Sequence, residues 1–341
     1  MPGMPRRSII KGTGHYVPDR IVSNAELVAY VGGSAQWIEE RTGIRERRWA
    51  RASQSTSELG LLATQRALED AGMQANDLDA LIFATLSADM TFPGCGVLLQ
   101  DALGVAGLPA LDVRNQCSGY LYALHVADAW IRAGVYDRVL VVGAEIHSAG
   151  LDFSEEGRSI TVLFGDGAGA VILEGEEVEE GSTRGVLDLA LGSDGSGAEH
   201  LCCERPGTKS GTHITIEDIR NKRHYPVMNG RTVFRYAIST LQREIGALME
   251  RHANLIDARR EDLVMVPHQA NQRINEHLAN QLGLREHQVI HTIENHGNTT
   301  AASIPMALDI ARKDGRLKEG ALIMHAAFGS GFTWGTGLIG L

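Results

Sequence analysis

Hydrophobic positions along this chain follow two alternating patterns. Dense apolar runs at residues 78–86 (LDALIFATL), 139–145 (VLVVGAE), 263–266 (LVMV) and 321–325 (ALIMH) predict strands buried on both faces. Between them, apolar residues recur at helical spacing. Residues 57–72 predict a helix with Ser57 or Ser55 as its cap and Gly72 as its stop. Residues 119–133, 273–282 and 301–309 predict further helices. Strands buried on both faces need helices over them, so the alternation predicts an α/β protein.

The pattern also repeats. FGDGAGAVIL at 164–173 is echoed by FGSGFTWGTGLI at 328–339, each a glycine-rich turn running into an apolar strand. LIFAT at 81–85 and LVMVP at 263–267 hold similar places in their halves. The period is too long for a solenoid and predicts a duplicated α/β half, divided as 1–180 and 181–341. The join is expected within 174–184 (EGEEVEEGSTR), an exposed connector. Residues 196–231 break the rhythm with a long polar stretch, which predicts a functional lid or a mobile segment.

With 341 residues and 43% hydrophobic positions, the chain has enough apolar mass for one large domain or two ordinary ones. A formal net charge of -10 argues against bulk nucleic-acid binding, and an acidic partner would need a local basic patch. The apolar runs are too short to span a membrane, and the amino-terminal stretch lacks the apolar segment of a signal peptide. A cytoplasmic protein is expected. Four cysteines are present, and the adjacent Cys202 and Cys203 lack zinc-ligand spacing. Thiols are expected in a reducing compartment, with Cys95, Cys202 and Cys203 serving packing.

Cys117 differs from these three. It follows an apolar run at 108–113 and directly precedes the helical pattern at 119–133. Backbone N–H groups and the dipole at a helix N-terminus favour a thiolate there. His268 follows the 263–266 run in PHQAN (267–271), at the end of a strand, where α/β proteins place reacting groups. Asn298 lies in the glycine-broken loop HGNTT (296–300), either as an amide donor or as a turn or cap residue. His296 is a nearby competitor. A cysteine with a histidine and an asparagine from elsewhere in the fold suits acyl transfer. The glycines at 165–169 precede a strand and do not spell G-x-G-x-x-G, so they read as tight turns and close backbone approaches.

Six strings in order carry a family resemblance: WIEERTGIRER (37–47), DVRNQCSG (112–119), FGDGAG (164–169), PHQAN (267–271), HGNTTAASIP (296–305) and FGSGFTWG (328–335). Over nearly its full length the chain resembles the thiolase-superfamily condensing enzymes, specifically β-ketoacyl-acyl-carrier-protein synthase III. The resemblance implies a thiolase fold, duplicated α/β halves in five layers (αβαβα), assembled as a homodimer. It implies no metal and no cofactor beyond a coenzyme A thioester as substrate. The implied reaction is a decarboxylating Claisen condensation of an acyl-CoA primer with malonyl-ACP, initiating fatty-acid synthesis.

The resemblance also implies roles. Cys117 carries the acyl group, and His268 and Asn298 donate to the enolate oxygen. The backbone of Cys117 and Ser330 forms the oxyanion hole, with Ser330 standing where the family commonly has glycine. Trp37 stacks on adenine, Arg41 and Arg158 meet CoA phosphates, and Asn271 lines the pantetheine channel. Phe92 bounds the acyl pocket across the dimer, with the small Gly94 and Gly96 beside it. Arg231, Arg235 and Arg273 are the candidates for carrier-protein contact. Three alternatives stand beside this reading. The first is a specialised synthase III paralogue using a longer or unusual primer in a secondary-metabolite or fatty-acid shunt pathway. The second is a non-catalytic chain-length partner, a role that commonly goes with loss of the nucleophile. The third is a Cys–His hydrolase, which requires water to reach the acyl-enzyme.

Overall fold

The computed structural model describes residues 4–209 and 211–341; residues 1–3 of the amino-terminal stretch and residue 210 of the 196–231 segment lie outside the described residues. The buried runs form two large sheets. The five-stranded sheet contains β1 (Arg6–Tyr16), β2 (Ala80–Ala84), β3 (Ala110–Val113), β4 (Arg138–Glu145) and β5 (Gly167–Glu177), in the order β1-β5-β4-β2-β3. The four-stranded sheet contains β6 (Gly185–Ser193), β7 (Leu263–Pro267), β8 (Leu322–Gly329) and β9 (Thr333–Gly340), in the order β7-β8-β9-β6.

The two sheets share one plan. β1, β5 and β4 are successively antiparallel, and β4 is parallel to β2. β6, β9 and β8 are likewise antiparallel, and β8 is parallel to β7. Where the first sheet adds β3, the second has only a parallel bridge from Val289 to Met265. The repeated glycine-rich strings therefore lead into topologically equivalent strands, β5 and β9.

Helices α3 (Gly119–Arg132) and α6 (Ser303–Lys313) lie between the sheets. α3 touches β4, β2 and β1 on one side and β6 and β9 on the other; α6 touches β1, β5 and β7. A helix enclosed in this way must be apolar over most of its surface. Tyr120, Leu121, Ala123, Leu124, Ala127 and Ile131 are buried on α3. The outer face of the first sheet is covered by α1 (Thr56–Ala71) and α2 (Cys95–Ala102), and that of the second by α4 (Gly230–Arg251) and α5 (Gln272–Gln281). The result is the five-layer αβαβα sandwich. α1 lies so close to β1 that a Cβ on Gly12 or Gly14 would sit 2.3 Å from a helix carbonyl. Each fully buried Leu, Ile or Phe in these layers contributes about 1.5–3 kcal/mol.

Local signals resolve in detail. Ser55 is the cap of α1, its Oγ accepting the Glu58 N–H at 3.3 Å, and Gly72 ends the helix at φ 65. The expected connector at 174–184 is shorter than its composition suggests. β5 runs on to Glu177 because Glu174 pairs with Lys11 (3.2 Å) and Arg138 (2.7 Å), and Glu176 with Lys11 (3.1 Å) and Arg184 (2.6 Å).

The described residues of the polar 196–231 stretch are organised. Leu201–Cys203 pairs with Pro226–Met228, and a short helix at Ile216–Arg220 starts from a capping box on Thr215. Arg205, 3% exposed, donates to the carbonyls of Gly207 (3.0 Å), Lys209 (2.7 Å) and Thr212 (3.0 Å) and pairs with Asp218 at 3.3 Å. Lys222 ties the strap to Asp152 (3.2 Å), Ser154 (2.9 Å) and Glu156 (2.7 Å). Its polar residues serve as internal wiring, a use that hydropathy does not register.

Candidate active site

The strand-to-helix junction between β3 and α3 is a one-turn helix, Gln116–Ser118, entered through Gln116 at φ 44. This turn sets Cys117 at the head of α3 and into a cleft of about 630 Å³. His268, Asn298, Phe328 and Gly329 line the same cleft, so residues from loops after β7, before α6 and at the end of β8 meet the cysteine there. A Cβ on Gly329 would come within 3.0 Å of both the Cys117 Cβ and N. Glycine is needed at that position because the backbone passes so close to the thiol-bearing residue.

His268 is 4% exposed, and its N–H donates to the Ala326 carbonyl at 2.8 Å, fixing the ring beside β8. Nδ1 lies 2.7 Å from Ser303 Oγ, which also accepts the Gln269 N–H at 3.3 Å. With Oγ accepting from Gln269, the serine proton is available to His268 Nδ1. The arrangement favours the tautomer with its hydrogen on Nε2, the nitrogen that is buried without a protein partner. Burial lowers the His268 pKa to about 3, so the ring is neutral at physiological pH.

Asn298 is held from both sides: its N–H donates to the Leu163 carbonyl at 2.8 Å, and its own carbonyl accepts the Gly165 N–H at 3.1 Å. Its Oδ1 accepts the Thr300 N–H at 2.8 Å. That bond orients the amide and leaves the Nδ2 hydrogens free to donate. Asn298 thus combines the turn role and the donor geometry that stood as alternatives in the sequence.

The thiol differs from the sequence expectation. Burial pushes the Cys117 pKa up to about 12, and the charge of the buried Glu145 adds to the rise. The Thr300 hydroxyl and the residue's own backbone N–H act in the opposite direction without overcoming desolvation. Cys117 is therefore held as a thiol at neutral pH, and the helix terminus alone does not ionise it. Glu145 itself is fully buried at the end of β4 and accepts from Thr85 Oγ1 (3.1 Å), Ser87 Oγ (2.5 Å) and the Leu86 (3.2 Å) and Ser87 (3.1 Å) amides. Desolvation raises its pKa to about 7 despite those donors.

At the cleft mouth, Trp37 and Arg41 line the wall, and Trp37 is 36% exposed. The Arg41 and Arg158 guanidinium carbons lie 5.6 and 5.8 Å from the Trp37 ring centroid, so all three form one cluster. Asn271 lines the cleft and caps α5: Oδ1 accepts the Arg273 N–H at 3.0 Å, and Nδ2 donates to the Arg41 carbonyl at 3.0 Å. Arg231 and Arg273 also line the cleft, whereas Arg235 is outside the lining and its guanidinium sits over Tyr236 at 5.7 Å. Ser330 follows Gly329, and its Oγ donates to the Leu201 carbonyl, fastening the strap to this loop. Phe92 is 83% exposed and takes no part in lining its own chain's cleft.

Sequence reasoning passed over Glu145, His147, Thr300 and Ser303. Glu145 carried the one available signal, a carboxylate ending the apolar run 139–145. Thr300 and Ser303 belong to α6 and its preceding turn and His147 follows β4, so only packing brings these three together.

A five-layer αβαβα sandwich, with a cysteine at the head of a central helix and a histidine and an asparagine in the same cleft, defines an acyl-transferring condensing enzyme of the thiolase fold. Family models described as 3-oxoacyl-[acyl-carrier-protein (ACP)] synthase III and its C-terminal part match residues 111–195 and 257–341. Beta-ketoacyl-[acyl-carrier-protein] synthase III of Bradyrhizobium diazoefficiens is 43% identical over 98% of each chain. Its counterpart from Rhizorhabdus wittichii is 44% identical over 98% of this chain and 99% of its own. The crystal structure of 3-oxoacyl-[acyl-carrier-protein] synthase III from Aquifex aeolicus superposes with a TM-score of 0.85 at 35% identity, covering 98% of this chain and all of that one. The chain belongs to the β-ketoacyl-acyl-carrier-protein synthase III family.

Proposed function

We propose that the chain condenses an acyl-CoA primer with malonyl-ACP to give a β-ketoacyl-ACP, CO2 and free CoA, initiating fatty-acid synthesis. The observation that carries this reading is one cleft holding a cysteine together with two uncharged donors, His268 Nε2 and Asn298 Nδ2. A hydrolase needs a base for water. Two neutral donors instead suit an enolate oxygen, because neither changes charge at neutral pH.

In the first half-reaction Cys117 Sγ attacks the thioester carbonyl. The backbone N–H groups of Cys117 and Ser330 receive the developing oxyanion, each such donor contributing about 2.7–4 kcal/mol. The C–S bond to CoA breaks, and CoA leaves as the thiol. In the second half-reaction the malonyl carboxyl departs as CO2, and His268 and Asn298 hold the enolate oxygen. The enolate carbon attacks the acyl carbonyl, and Cys117 leaves. Acyl-CoA is a substrate, and the family's chemistry calls on no cofactor.

Trp37 offers its ring to the adenine, flanked by Arg41 and Arg158 for CoA phosphates. Asn271 borders the pantetheine path. Arg231 and Arg273 at the mouth, with Arg235 on the adjoining turn of α4, are the carrier-protein surface. In a homodimer the exposed Phe92 would complete the partner's acyl pocket, the two halves 1–180 and 181–341 would each supply part of the chemistry, and the enzyme would work in the cytoplasm. The first test is incubation with acyl-CoAs from acetyl to dodecanoyl, read by intact mass with Cys117→Ala as control. A single adduct that requires Cys117 and is consumed by malonyl-ACP is expected. No adduct from any thioester would overturn the acyl-enzyme.

A further inference from the structure

Among the described residues, two that line the cleft bury a side-chain nitrogen with no hydrogen-bond partner: His268, through Nε2, and Asn275, through Nδ2. The first is the enolate donor of the proposed reaction. The second has had no role so far. Asn275 is 1% exposed, and an amide N–H that has lost its water without gaining a partner is costly to fold. A group left in that state at the wall of a cleft calls for a partner that the chain itself does not provide.

Helix periodicity brings Asn275 to the cleft. Its N–H donates to the Asn271 carbonyl at 3.4 Å, so it stands one turn along α5 from Asn271. Residues three and four apart share a helix face, and Asn271, Ile274 and Asn275 all line the cleft. Ala237 and Leu241, also one turn apart, line it from α4, which packs against α5. Ala237, Leu241 and Ile274 are buried, so this part of the wall is apolar apart from one uncharged amide. The two asparagines differ in what they have left to give. Asn271 Oδ1 accepts the Arg273 N–H and its Nδ2 donates to the Arg41 carbonyl. Asn275 Nδ2 is uncommitted.

That chemistry selects among the parts of a CoA thioester. A plain acyl chain has nothing to accept a hydrogen from Nδ2. A phosphate would lose its water against Ala237, Leu241 and Ile274. The pantetheine arm carries two neutral amides on a slender apolar chain, and an amide carbonyl accepts from an amide N–H. We propose that Asn275 Nδ2 donates to an amide carbonyl of the pantetheine arm, making Asn275 a substrate-binding residue that selects for amide-bearing thioesters. The arm is common to acyl-CoA and malonyl-ACP, so one donor serves both half-reactions. Asn275 holds the arm and not the reacting atoms; its part is binding.

The assignment rests on the reading of Cys117 as the acylated nucleophile, and the test separates the two. Acylation of Cys117 would be followed by intact mass with one accepted acyl group on four thiols: CoA, pantetheine, N-acetylcysteamine and ethanethiol. The first two carry both amides of the arm, the third carries the one nearer sulfur, and the last carries none. Asn275→Leu, similar in shape, is expected to lower the second-order acylation rate about tenfold with acyl-CoA and acyl-pantetheine and to leave the ethanethiol ester within about twofold of the parent. Either result with the N-acetylcysteamine ester supports the assignment, a loss naming the inner amide and an unchanged rate the outer. The KM for malonyl-ACP should rise by a similar factor. In urea titrations without substrate the variant's midpoint should rise, because the buried unpaired N–H is gone. Equal losses with all four esters, no loss with any, or a lower urea midpoint would each overturn the assignment while leaving the parent's acylation intact. No adduct in the parent from any thioester, or an adduct persisting in Cys117→Ala, would overturn the nucleophile itself, and the assignment with it.

Discussion

Ser303 Oγ lies 2.7 Å from His268 Nδ1 while accepting the Gln269 N–H, so a residue at the start of α6 sets which nitrogen of His268 carries the hydrogen. Ser303→Ala removes that control without changing the size of the ring's pocket much. The expected result is a drop of roughly tenfold to a hundredfold in decarboxylation and condensation, since a wrong tautomer forfeits a donor. Acylation of Cys117 should change little. Measuring the two half-reactions separately decides the matter, and an equal loss in both would assign Ser303 to general packing.

The buried Glu145 predicts a pH-dependent stability. Its folded pKa, about 7, is raised above the ordinary 4.5, so between those values the folded protein binds the proton more tightly than the unfolded chain. The favourable contribution is complete below about pH 4.5, declines as pH rises, and is gone above about pH 7, a total of about 3 kcal/mol. Denaturant titrations of the parent and Glu145→Gln at pH 5 and pH 8 should show the parent's advantage falling by that order. A difference independent of pH would count against this linkage.

The cluster of Trp37 with Arg41 and Arg158 predicts a binding effect. Arg158→Ala should raise the KM for acyl-CoA about tenfold, for a loss of about 1.4 kcal/mol, with kcat little changed. Higher salt should narrow the gap, because an exposed cation–phosphate contact is screened. A fall in kcat at unchanged KM is the opposing outcome, seen in steady-state kinetics with the acyl-CoA varied.

Gly329→Ala probes the close approach of β8 to the nucleophile. Its Cβ would lie 3.0 Å from the Cys117 Cβ and backbone N, so the cysteine turn must shift. A displacement of this kind should reduce acylation by about a hundredfold. Thermal unfolding and intact-mass acylation together test this, and a fully active variant would mean that the loop yields instead.

Much was legible in the sequence because burial leaves a periodic trace. Strands β2, β4, β5, β7, β8 and β9, the central helices and the caps at Ser55 and Gly72 follow from local apolar spacing and turn chemistry, which depend on neighbours a few residues away, whereas β1 and β6 carried no such reading. Cys117, His268 and Asn298 were legible for a related reason: each sits where a strand or turn gives way to a helix, and such junctions have sequence signatures. Polar wiring leaves no such trace. Arg205 read as an ordinary charged residue in a polar stretch, yet it is buried with three carbonyls and Asp218.

Tertiary structure alone decided the electrostatics. The helix N-terminus predicted an ionised thiol, but desolvation and Glu145, residues away in sequence and adjacent in space, push it up to about 12. His147 and Thr300 are separated by more than a hundred residues and meet only because α6 and its leading turn are packed between the two sheets. The chain's order of apolar and polar residues determined which elements form and that they form twice. Which charges lose their water, and which donors and acceptors then face one another, depended on how those two halves close together, because solvation is a property of the packed volume and not of the local sequence.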